Sequence, residues 1–125
     1  MSPEELVLAF KSAITDLQQL HVLAQTETLM LDETDFDELD QVIRSKENLV
    51  ARIVEFHALI SGSPADASAP PGRELQELGR QAADLVAKVT QVEGRNRIRL
   101  ERLRSGAIQA LQALHHERQL SRAYR

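Results

Sequence analysis

The side chains richest in chemistry gather toward the C-terminal end of the chain. His115, His116 and Glu117 put two imidazoles and a carboxylate in a row, a set that invites a metal ion. Carboxylate di-iron sites in helical bundles need several Glu and His side chains facing one another at helical spacing. Adjacent residues point about 100° apart on a helix, so this trio cannot converge on one ion. The remaining histidines, His21 and His57, have no Glu-x-x-His partner. The trio therefore reads as solvated surface, with no metal and no cofactor. The chain has no cysteine, which excludes a disulfide framework, a thiol nucleophile and zinc sites built on thiolates. Ser, His and Asp all occur, but no strand–turn–helix frame would hold them as a rigid, converging set in a pocket. The glycines are too few and too scattered for a phosphate-cradling loop. The expectation is a protein without catalytic activity.

A second concentration of chemistry is the basic run Arg95, Arg97, Arg99, Arg102 and Arg104. Nucleic-acid binding by such a run would want aromatic stacking, a reading motif or a basic domain. Glu93 and Glu101 interrupt the run and no aromatic residue lies near it. The chain as a whole is acidic, with 15 Lys and Arg against 19 Asp and Glu, a formal net charge of −4. Residues 1–92 carry 7 basic and 16 acidic side chains, and residues 93–125 carry 8 and 3, so the net charges are −9 and +5. A basic end on an acidic body can fold back on that body or meet an acidic partner. No nucleic-acid partner is expected; a regulatory or nucleic-acid-binding role for the run ranks third, ahead only of an enzyme, and strongly salt-dependent binding would reveal it.

The elements that position these residues are helices. Ser2 can cap a helix that has Pro3 at its first position and Glu5 to complete a capping box. Leu6, Phe10, Ala13, Leu17, Leu20 and Ala24 then recur at steps of four and three, and Leu31 extends the stripe. Thr34 or Asp35 is the expected cap of a second helix, whose seam is Leu39, Val42, Lys46, Leu49, Ile53, Phe56 and Ile60. Residues 61–72, S-G-S-P-A-D-A-S-A-P-P-G, cannot propagate a helix and read as a flexible linker. Beyond it, Leu75, Leu78, Ala82, Leu85, Val89, Val92 and Asn96 form a third seam. It is expected to slip by a four-residue step to Leu100, Leu103, Ala107, Ala110 and Leu114, with Gly94 and Gly106 as bend sites.

The spacing thus predicts one all-α domain over 1–125: an antiparallel helical hairpin, about 2–31 and 35–60, plus one long third helix, about 73–121, in a coiled-coil-like three-helix bundle. Lys46 and Asn96 are polar residues on apolar seams, where they fix register or, for Lys46, snorkel to solvent. The N-terminal M-S-P-E-E has neither a basic n-region nor an apolar h-region, and no apolar run approaches the ~20 residues of a membrane span. A cytoplasmic protein without membrane insertion is expected.

Length decides where function should sit. At 1.5 Å per residue the hairpin helices span roughly 40–45 Å and the third helix roughly 73 Å. About the last 15–20 residues must overhang, and they still carry Ile108, Leu111, Leu114 and Leu120. An uncovered apolar stripe invites a partner helix or a second copy of the chain.

The segment E-T-L-M-L-D-E-T-D-F-D-E-L-D-Q-V-I-R-S-K-E-N-L-V, residues 27–50, resembles the flagellar export chaperones of the FlgN family: a Glu (Glu27), a leucine-rich helix end, an acidic turn (Asp32–Asp35), then a Lys-Glu pair (Lys46-Glu47) before Leu49. The N-R-I-R-L-E-R-L segment from Asn96 to Leu103 resembles that family's long third helix, and Tyr124 a tyrosine near its C-terminus. The resemblance implies a cytoplasmic chaperone of the type III flagellar export system. Such a chaperone would bind the C-terminal helices of hook–filament junction proteins and keep them unassembled. It implies substrate contacts at Ile108, Leu111, Leu114 and Leu120, and a contact of Tyr124 with the flagellar export gate. The alternative is a structural coiled-coil protein that self-associates, as a homodimer or larger, through the same stripe.

Overall fold

The computed structural model describes residues 2–62 and 72–123. It is an all-α three-helix bundle of α1 (Pro3–Asp32), α2 (Leu39–Gly62) and α3 (Arg73–Ala123). α2 runs through Ser61 and Gly62, two residues past the expected start of the 61–72 linker, and most of that segment, like Tyr124, lies outside the described residues.

α1 starts as its sequence predicts. The Ser2 hydroxyl accepts the Glu5 N–H at 3.1 Å and the Glu5 carboxylate accepts the Ser2 N–H at 3.3 Å, closing the capping box over Pro3. Its end differs from the expectation. Thr34 does not cap α2; it terminates α1 in the left-handed region at φ 53°. The Thr34 N–H reaches the Leu31 carbonyl at 3.4 Å and the Asp35 N–H the Met30 carbonyl at 2.9 Å, the paired bonds of a Schellman ending. The Asp35 carboxylate takes the Asp37 N–H at 3.3 Å inside the turn, and α2 begins only at Leu39. An acidic T-D-F-D-E run offered several cap-like side chains, and the first two are consumed by the turn.

The helix directions follow from side-chain pairs. Glu27, Asp16 and Phe10 on α1 meet Lys46, Arg52 and Phe56 on α2, so the hairpin is antiparallel. Phe10 and Phe56 meet edge to face, centroids 5.0 Å apart. Lys11 and Ala24 on α1 meet Glu74 and Asn96 on α3, which therefore runs parallel to α1. The core is Ala13, Ile14, Leu17, Leu20, Ala24 and Leu31 of α1, closed by Val42 and Leu49 of α2 and Leu78 and Val89 of α3. Leu20, Leu49 and Val89 bring all three helices together. α1 packs against both neighbours, whereas the backbones of α2 and α3 stay apart.

α3 runs unbroken through Gly94 and Gly106. The expected four-residue slip after Asn96 does not occur in the packed part. Asn96 is buried and Leu103 half-buried, one heptad apart, while Leu100 turns outward. The seam thus keeps its spacing until the bundle ends, and from Arg104 to Ala123 every residue is exposed.

Candidate docking surface

Where α3 leaves the bundle, the seam carries polar side chains from all three helices. The Lys46 ammonium lies 3.0 Å from the Glu27 carboxylate and 2.7 Å from that of Glu93. The Asn96 amide donates to the Ala24 carbonyl and to Glu27, both at 2.9 Å, and its oxygen accepts the Thr28 hydroxyl at 2.6 Å. The Lys46 side chain is 10% exposed, so it pairs inside the bundle rather than snorkelling out. Burial opposes its charge, yet the hydrogen bonds to Glu93 and Glu27 outweigh that and raise its pKa above the ordinary lysine value. No buried side-chain N or O among the described residues lacks a partner. This cluster ties α1, α2 and α3 to one register at the root of the overhang.

Sequence reasoning found Lys46 and Asn96 as seam residues but not their partners. Glu27 continues the α1 stripe at the step after Ala24, which is a periodic signal. Glu93 sits beside the α3 seam and has no such signal. A second missed pair is Asp16, buried on α1, with Arg52 of α2 bonding it through two nitrogens.

Beyond the cluster, α3 stands alone. The overhang of 20 residues spans about 30 Å. Ile108, Leu111 and Leu114 are 45%, 66% and 46% exposed and share one face. Leu120 is exposed too, but nine residues past Leu111 it lies on the opposite side of the helix, so it does not join the other three. Tyr124 falls outside the described residues. The arginine run is split between faces. Arg95, Arg99 and Arg102 border a shallow recess with Asp32 and Thr28, and Arg97 lies on the side toward α2. His115 makes its contact with Gln119 one turn on, at 3.2 Å between ring nitrogen and amide.

What fold and surface define is a helical bundle that presents a bare amphipathic helix from a locked root. Among the described residues no helix is long and apolar enough to cross a membrane. Comparisons of the chain with protein-family models, with curated proteins and with solved structures give no match.

Proposed function

We propose that this protein is a non-catalytic binding module, a cytoplasmic chaperone of flagellar type III export that holds the C-terminal amphipathic helices of hook–filament junction proteins. The observation that carries the reading is the α3 overhang, with Ile108, Leu111 and Leu114 exposed together on one face beyond the end of the bundle. An amphipathic helix laid on such a stripe is recognised through apolar anchors spaced about one turn apart. Burying a leucine-sized side chain is worth about 1.5–3 kcal/mol, so three anchors supply at most about 4.5–9 kcal/mol against an association cost of at least about 4 kcal/mol, and the client's own apolar side chains must contribute the rest of any tight affinity. The resemblance of residues 27–50 and of the third helix to the FlgN family supplies the identity of the client. In the same reading Tyr124 contacts the export gate, and Leu120 serves at most as a flanking contact.

Calorimetry with peptides from the C-terminal ends of junction proteins tests this. One-to-one binding that is lost in the Leu111→Asp/Leu114→Asp variant, with helix content unchanged, is expected. Unchanged affinity in that variant removes the stripe from the site. No binding of any junction peptide to a folded protein removes the chaperone reading.

A further inference from the structure

Among the described residues the overhang is not the sole exposed apolar surface. Because the backbones of α2 and α3 lean on α1 and stay apart from each other, a groove runs between them, crossed near its middle by the Lys46–Glu93 ion pair. Leu20 lies at its floor, Ile43 and Val50 line the α2 wall, and Val89 and Leu100 the α3 wall. Val54 of α2 and Val86 of α3 are exposed farther along the same two helices. Counting 100° per residue, Val86, Glu93, Leu100 and Leu111 fall within about 40° of one another. The groove wall of α3 and the overhang stripe are therefore one face of one helix.

We propose that a second copy of this chain fills the groove: two copies pair antiparallel along α3, and each lays its overhang in the groove of the other. Length fits, since the groove wall from Val86 to Leu100 runs about 21 Å and the overhang about 30 Å. Symmetry fits as well. The middle of the groove lies near Glu93 and the middle of the overhang near Ala113, at equal distances from Leu103, so a single two-fold axis beside Leu103 makes both contacts at once and closes the assembly. Charge selects this arrangement over its nearest competitor. Arg104, Arg118 and Arg122 against Glu117 give the overhang a net charge of +2. Glu27, Glu47 and Glu93 against Lys46 and Arg97 give the groove −1. Pairing overhang with overhang would set +2 against +2.

The inference does not depend on the identity of a client. Where both readings hold, the dimer is the resting form and a client helix must displace the second copy from the stripe.

Sedimentation velocity on the full chain, from low micromolar to submillimolar concentration, tests it with two variants. Leu111→Asp/Leu114→Asp alters the overhang and Val50→Asp/Val54→Asp the groove, all at exposed positions, and circular dichroism verifies that each still folds. The wild type is expected to dimerise, and each variant to dimerise about a hundredfold more weakly, as loss of central apolar anchors predicts. Mixing the two variants is expected to restore a heterodimer in part, because one intact overhang then meets one intact groove. Three results overturn the proposal: a monomer throughout the series, a dimer indifferent to the groove variant, or folded variants that fail to complement on mixing. A monomer that still binds junction peptides overturns this inference alone and leaves the chaperone reading in place.

Discussion

Lys46→Met is the sharpest test of what holds the bundle in register. Methionine keeps the length of the side chain and removes its charge. The Glu27 side chain, 8% exposed, then loses its cation and keeps only the Asn96 amide, while Glu93, at 39%, can turn to water. Removing one partner of a buried pair costs about 3–5 kcal/mol, and because Glu93 is half open the lower end, about 3 kcal/mol, is expected. Urea unfolding followed by circular dichroism at neutral pH reads this directly: with a slope of about 2 kcal/mol per molar, the midpoint falls by roughly 1.5 M. The pH dependence gives a second readout. The folded pKa of Lys46 is raised, so its contribution is fully present below the unfolded lysine value of about 10.4 and is lost as pH rises through the folded value. Wild type is expected to lose stability along that alkaline limb by an increment that Lys46→Met lacks. A midpoint within error of wild type at neutral pH refutes the claim that this cluster secures the fold.

Two further substitutions probe the hairpin. Thr34→Gly relieves a left-handed β-branched residue, a cost of roughly 1–2 kcal/mol, against about 0.5–1 kcal/mol of added chain entropy, so a net gain of about 0.5–1 kcal/mol in urea midpoint analysis is expected. A loss of stability there would mean that the Schellman turn does not carry the strain assigned to it. Arg52→Ala leaves the buried Asp16 carboxylate without its guanidinium; because Arg52 is itself largely exposed, about 1 kcal/mol of destabilisation is expected in the same assay, shrinking with added salt.

Most of the fold was legible because seams at steps of three and four repeat over helix lengths, and Ala13, Leu17, Leu20, Ala24, Val42 and Leu49 are buried where the pattern puts them. The Ser2 box was legible because its partners are three residues apart in the chain. What escaped was decided in three dimensions. Thr34 carries a cap-like side chain but is claimed by the end of α1, since two helices compete for one short turn. Leu100 fits a shifted seam as well as Leu103 fits the unshifted one, and only the position of α1 decides between them. Glu93 turns inward because Lys46 waits across the groove, which no periodicity within α3 can announce. Leu120 satisfies an apolar count but not the phase of Leu111.

The polar cluster also bears on how far α3 protrudes. Apolar seams with heptad spacing are nearly degenerate to a slide of seven residues, about 10.5 Å, which would carry the overhang stripe that far along the bundle. Glu93 and Asn96 break the degeneracy, because only one register sets both against Lys46 and Glu27. Replacing one member leaves an orphaned charge and costs stability; replacing all of them does not. The quadruple variant Glu27→Leu, Lys46→Met, Glu93→Leu and Asn96→Leu converts the cluster to apolar packing, a change that is often neutral or stabilising by about 1–4 kcal/mol. It is expected to melt no lower than wild type and yet to populate more than one register. Because the chain has no cysteine, spin labels at Ser12→Cys and Ser105→Cys report the α1–α3 register without interference. A single, sharp distance in wild type and a broadened or doubled one in the quadruple variant are expected. If the variant keeps the single distance, apolar shape alone sets the register, and the buried charges need another reason to be there.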